Sequence, residues 1–224
     1  GYEGDYYLME NGTDFVKGKA SQFAIDQLND KYNIETDETV FLFVGRMMWY
    51  KNIKFIIDGL NHAKQNGAAF KMLFVGEGVD RQEIMNYTNT LGLSNHCIFT
   101  GAIHDREDLR TYFSRANLFL FPSTYDTNGI VVREAAACSC PSLLVKDSCA
   151  SEGILNEDTG IIIDETVTAL GEAILTATLD HGRLQKIGIS AAENIYLSWD
   201  DAVGKAVARY SEVLKKQFMN QKDA

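Results

Sequence analysis

Four stretches of the 224-residue chain carry side chains suited to a phosphorylated, hydroxyl-rich ligand. The first is Gly45-Arg46-Met47-Met48-Trp49-Tyr50-Lys51-Asn52, in which a glycine lets the backbone turn and two cations follow. The second runs from Pro122 to Glu134 and sets Asp126 and Glu134 on either side of Asn128-Gly129-Ile130. Asn128 is predicted to cap a helix running from Gly129 to about Ala137. A helix start exposes free N–H groups and the positive end of the dipole, which favours phosphate. Gly129 removes the side chain that would hold a ligand off. Glu134 follows Ile130 by one turn, about 6 Å along the axis, so its carboxylate reaches the same mouth and can accept hydrogen bonds from sugar or ribose hydroxyls. Asp126 can do likewise. The other two stretches are Val75-Gly76-Glu77-Gly78 and Thr100-Gly101-Ala102-Ile103. Taken singly, each has a plainer reading: a surface Arg or Lys is usually solvated, and an acid beside a helix start often serves only the dipole. Together they end four successive predicted strands, and four glycine or proline turns on one side of a sheet suggest a ligand crevice.

The elements that must position these residues are legible as six short apolar runs: Val40–Val44, Phe70–Val75, Cys97–Thr100, Leu118–Phe121, Ser142–Val145 and Gly160–Ile163. None alternates cleanly, as strands covered on both faces need not. Helical spacing separates them, as in Ile53, Ile56, Ile57 and Leu60, or Leu109, Tyr112, Phe113 and Ala116. Strands alternating with helices predict an α/β, Rossmann-like, doubly wound parallel sheet of about six strands in the order 3-2-1-4-5-6. A long amphipathic helix, Trp199 to Lys216, is expected to close the domain by packing across one side, followed by a frayed tail over 217–224. Residues 1–16, with the turn dipeptide Asn11-Gly12, read as a linker, leaving 17–216 as the domain.

Composition narrows the function classes. A net charge of −10 argues against a nucleic-acid partner, which would require a basic face. It leaves room for a small anion held by a few placed cations. No apolar run approaches the ~18 residues of a membrane span, and Gly1 to Glu10 does not resemble a secretory leader. Cys97, Cys138, Cys140 and Cys149 lack the spacing of a zinc site and read as reduced packing residues of a cytoplasmic protein. His62, His96, His104 and His181 follow no catalytic motif and read as surface or helix-end residues.

In order and spacing, these motifs resemble the C-terminal domain of glycosyltransferase family 4, retaining enzymes of the GT-B fold. Asn11-Gly12-Thr13-Asp14-Phe15 resembles the family's linker, Gly45-Arg46 with Lys51-Asn52 its G-R…K-G motif, and Asp126 through Glu134 its E-x7-E motif. Val75-Gly76-Glu77-Gly78, Phe99-Thr100-Gly101, Phe121-Pro122-Ser123 and Ser198-Trp199 also match. The resemblance implies a hexosyltransferase half that binds a nucleoside-diphosphate sugar, UDP- or GDP-linked, with no cofactor and no metal. Arg46 and Lys51 would neutralise the diphosphate, and Glu134 would bind the ribose. Asp126 would contact the sugar, while Gly45, Gly76, Asn128, Gly129 and Ile130 would approach the ligand and Ile103 would face the base. On this assignment, Asp126→Ala spares the free diphosphate and weakens only its sugar form. Asp126 stands where Glu is usual, Asn52 where Gly is common, and Asn128 where Phe is frequent. The family's N-terminal acceptor domain, with its catalytic His, has no counterpart here, so the fragment is expected to bind without turnover. The full-length enzyme is expected at the inner face of the membrane as a peripheral protein. A non-catalytic nucleotide-sugar-binding module and a GT-B-like sugar-nucleotide epimerase are the alternatives.

Overall fold

The computed structural model describes residues 9–126 and 129–220, with side chains described as far as residue 215. Asn128, the expected helix cap, lies outside the described residues, as do 1–8 of the linker and 221–224 of the tail. Six strands form one parallel sheet: β1 Val40–Val44, β2 Lys71–Val75, β3 Cys97–Gly101, β4 Leu118–Leu120, β5 Ser142–Val145 and β6 Ile161–Ile163. Their spatial order is β3-β2-β1-β4-β5-β6, as the sequence predicted.

The pleat explains why the strands do not alternate between apolar and polar. In β1, Phe41 and Phe43 enter one core, while Val40 and Leu42 enter a second core on the opposite face. The first is covered by α2 (Ile53–Gln65), α3 (Arg81–Thr90), α6 (Val167–Leu179) and α7 (His181–Asn194), through Ile56, Leu60, Ile84, Leu170, Ile174 and Ile187. The second is covered by α1 (Gln22–Tyr32), α4 (Arg106–Arg115) and α5 (Ile130–Ala137), through Leu28, Leu109, Phe113, Val132 and Ala135. A strand buried on both faces needs apolar residues at every position. Local signals set the helix starts: Ser21 accepts from the Ala24 N–H, and Asp105 accepts from the Glu107 and Asp108 N–H groups at 2.8 and 2.9 Å.

Two expectations need correction at the C-terminus. The last helix, α8, runs from Trp199 to Asn220, one turn into the predicted tail, because 217–220 contain neither Gly nor Pro to stop it. Nor does it lie packed across the domain. Ala202 is buried beside the linker, but Val203, Val207, Tyr210 and Leu214, one stripe at helical spacing, are all more than half exposed.

Cys97, Cys138 and Cys140 are free and buried, as packing residues should be, and burial pushes the Cys97 thiol up to about 12 and Cys138 up to about 11. Cys149 departs from that reading, since it is exposed. Among the described residues, no helix is long and apolar enough to cross a membrane.

Candidate functional site

The chain runs β1-β2-β3 outward in one direction and β4-β5-β6 in the other, so the carboxyl ends of β1 and β4 diverge and leave a crevice. A cavity of about 430 Å³ lies there. Gly45, Arg46 and Lys51 line it from the β1 side, and Asp126, Gly129, Ile130 and Glu134 from the β4 side. Val44, Leu109, Phe121 and Val131 supply its apolar wall. Residues nearly ninety positions apart are thus brought together by strand order alone.

The β1 side is built by a tight turn. After Gly45 the chain enters a 3-10 turn, Trp49–Lys51, and Asn52 leaves it at φ 61. This left-handed backbone explains why Gly suits the position and why Asn, which tolerates that region best among the other residues, replaces it here. The Asn52 amide donates to the Pro122 carbonyl at 3.1 Å and to Glu165 at 2.6 Å, tying the β1 mouth to the β4 mouth. Arg46 and Lys51 flank the Tyr50 ring, their cationic centres 5.8 and 5.2 Å from its centroid. Arg46 is exposed and makes no ion pair within the described residues.

Lys51 is not free. Its ammonium donates to Asp126 Oδ1, and both side chains are largely withdrawn from solvent. Asp126 Oδ2 and the neighbouring Ser123 Oγ are shielded and have no hydrogen-bond partner among the described residues. The β4 mouth therefore holds one carboxylate oxygen engaged with a cation and one buried acceptor with no partner among the described residues.

On α5 the cap is Gly129, at φ 55 and ψ 40, in place of the predicted Asn128, and the helix begins at Ile130. A left-handed residue turns the chain sharply into the helix, and a Cβ at Gly129 would sit 3.0 Å from the Ala150 Cβ. Glu134 is buried and accepts from Arg106 Nη1 at 3.0 Å. Burial moves its pKa up from the ordinary carboxylate value, and the Arg106 charge and hydrogen bond oppose that shift.

Arg106, on the cavity wall, was not anticipated from the sequence. It opens α4, after β3, and so stands at the same carboxyl end of the sheet; the strand-end rule applied to β3 would have found it. Two expected residues lie elsewhere. Ile103 lines a neighbouring cavity with Leu28, Thr111 and Tyr112. Gly76 does not line the cavity; a Cβ there would fall 1.9 Å from the Gly45 carbonyl oxygen, so its place is the close approach of the β1 and β2 ends. None of the four histidines lines the cavity; His181 pairs with Thr39 at 2.8 Å and His96 with the Phe70 carbonyl at 3.1 Å.

Comparison with known proteins places this arrangement. An uncharacterized glycosyltransferase of Methanocaldococcus jannaschii is 26% identical over 180 residues, covering 79% of this chain and 46% of the relative. Sucrose-phosphate synthase from Thermosynechococcus elongatus superposes with a TM-score of 0.76 at 24% identity, covering 88% of this chain and 50% of that one. Anabaena HepE, solved in complex with UDP-glucose, superposes with a TM-score of 0.75 at 20% identity, covering 87% and 54%. The chain thus spans about half the length of the proteins it matches. The family described as glycosyl transferases group 1 matches residues 24–194, a stretch that takes in the whole sheet and both sides of its crevice. That match extends over most of the sequence, and the chain belongs to the glycosyl transferases of group 1.

Proposed function

We propose that this domain is the donor-binding half of a retaining hexosyltransferase, holding a nucleoside-diphosphate sugar in the crevice between β1 and β4. The observation that carries the reading is the gathering of Arg46, Lys51, Asp126 and Glu134 on one cavity, at the sheet position where α/β folds bind ligands. The proposed roles follow from charge and placement. Arg46 and Lys51 face the diphosphate and stabilise it as it leaves, together with the free N–H groups at the start of α5. Glu134 accepts from the ribose hydroxyls. Asp126, whose Oδ2 has no hydrogen-bond partner among the described residues, accepts from the sugar. Gly129 and Ile130, which line the cavity, offer backbone contacts at the start of α5. The UDP-glucose held by the Anabaena neighbour supports this ligand class. UDP and GDP are both candidates.

Sugar transfer also needs an acceptor site, which we assign to a second domain upstream of residues 1–16. The exposed stripe of Val203, Val207, Tyr210 and Leu214 on α8 supports that assignment, since it offers an apolar surface next to the linker. The linker runs beside the start of this helix: Thr13 bridges Ser198 just before it, and Glu10 pairs with Lys205 on it at 3.4 Å and with Arg133 of α5 at 2.9 Å. A cytoplasmic enzyme peripheral to the inner membrane face completes the reading.

Calorimetry and thermal shift with UDP, GDP, UDP-glucose and GDP-mannose test it. A ligand present at 100 times its Kd should add about 2.7 kcal/mol of stability. Arg46→Ala should weaken whichever diphosphate binds by about 1.5 kcal/mol, the low end for a charge-assisted contact because the side chain is exposed. Glu134→Ala should weaken the free diphosphate and its sugar form alike, by about 1–3 kcal/mol. Wild-type chain that binds none of the four ligands sinks the proposal. Donor hydrolysis by the full-length protein separates a transferase from a binding module.

A further inference from the structure

Glu134 is the most buried acid in the cavity, and its side chain is 10% exposed. A carboxylate withdrawn from water keeps its charge only if a partner supplies what solvent no longer does. The partner here is Arg106, whose guanidinium divides its donors. Nη1 goes to Glu134 Oε1 at 3.0 Å, while Nε reaches Asp14 Oδ2 at 3.2 Å and Nη2 reaches Asp14 Oδ1. The Phe15 ring lies 5.0 Å beneath the guanidinium carbon. A planar fork held by two bonds to one carboxylate and stacked on a ring has little freedom left, so the third donor arrives at Glu134 from a fixed direction. That leaves Glu134 Oε2 for a ligand. Only the ionised form is an acceptor at both oxygens, so that Oε2 can accept from ligand hydroxyls while Oε1 holds Arg106.

We propose that Arg106 is a positioning residue, which orients the Glu134 carboxylate toward the hydroxyls of a bound nucleoside diphosphate. The inference rests on the donor-site reading above and deepens it with a residue that no sequence motif marked. Ordinary packing is a poor account of Arg106, whose side chain is 49% exposed.

The charged groups facing Glu134 define the pH behaviour. Arg106 approaches from α4, Asp14 from the linker and the Cys138 thiol from the end of α5, while Arg46, Lys51 and Asp126 stand across the cavity. Removing Arg106 leaves burial and Asp14 acting on Glu134, and both favour the protonated form. Ligand binding that needs the carboxylate is then lost at a higher pH as the solution is acidified.

The experiment uses the 224-residue chain as wild type, Arg106→Ala and Arg106→Lys. Carbon-13 NMR follows the Glu134 carboxyl titration without ligand, and calorimetry follows UDP and GDP binding between about pH 5 and pH 8. The expected result for Arg106→Ala is a Glu134 midpoint higher by about one unit. Binding should be roughly fivefold weaker near neutrality, with the gap widening toward acid pH. Arg106→Lys, which keeps the charge but not the fork, should restore the midpoint more fully than the affinity. An unchanged midpoint in Arg106→Ala overturns the proposal, as does an affinity loss of equal size at every pH. Failure of the wild type to bind either diphosphate overturns the donor-site reading, and this proposal with it.

Discussion

Lys51→Ala should weaken UDP or GDP binding by about 2–4 kcal/mol, more than Arg46→Ala, because it does two things at once. It removes a cation from the diphosphate, and it leaves Asp126 as an uncompensated carboxylate in the same cavity. Within the domain these two side chains pair and neutralise each other. Any diphosphate must therefore compete with Asp126 for Lys51 or share it. The consequence for Asp126→Ala reverses the expectation drawn from motif assignment alone. With the competing anion gone, Lys51 is fully available, and the free diphosphate should bind more tightly, by about 0.5–1.5 kcal/mol, instead of being spared. A nucleotide sugar also loses its contact with the carboxylate, so its advantage over the free diphosphate should shrink. The double variant should bind the diphosphate better than Lys51→Ala alone, since the repulsive carboxylate has been removed with its partner. Calorimetry on the four proteins with UDP, GDP and their sugars closes the cycle. Additive losses, or equal weakening of both ligands by Asp126→Ala, would show that the ion pair does not gate the site.

Gly76→Ala should cost about 3 kcal/mol or more of stability, the largest effect expected from a single added methyl in this domain. Two causes add. The backbone at Gly76 has φ +142, which L side chains rarely adopt, and the new Cβ would fall 1.9 Å from the Gly45 carbonyl oxygen. The obstacle is backbone, so no rotamer change relieves it. Gly67→Ala separates the two causes. Gly67 has φ +91, with no heavy atom within 4 Å of an added Cβ, and should report conformational strain alone, about 1 kcal/mol. Relief of the Gly76 overlap must move Gly45, whose N–H bonds the Val75 carbonyl at 3.0 Å and which precedes Arg46. Diphosphate affinity should fall together with stability. Urea unfolding of both variants, with UDP and GDP titrations of whatever remains folded, measures both. Equal small losses for the two glycines would mean that the strand ends are not locked together here.

The sequence by itself determined the sheet. Six apolar runs in chain order, too short for helices and separated by helical spacing, leave little but a parallel, doubly wound arrangement, and the right-handed crossover then restricts the strand order. It also pointed to the strand ends that line the cavity, because glycines, cations and acids at Gly45-Arg46, Lys51, Asp126 and Glu134 are local features. What each side chain touches was not local. Lys51 and Asp126 are 75 positions apart, and their pairing follows from β1 and β4 being neighbours at the reversal of the sheet. Arg106 matched no motif, and only its place after β3 could have marked it. It became part of the cavity only when the start of α4 came within reach of Glu134 on α5 and the linker brought Asp14 and Phe15 against it. The last helix shows the same limit from the other side. Its amphipathic pattern announced a surface to be covered, but periodicity specifies only that an apolar face exists. Whether the covering surface lies in this domain depends on the three-dimensional path of the chain, and here Val203, Val207, Tyr210 and Leu214 face away from it.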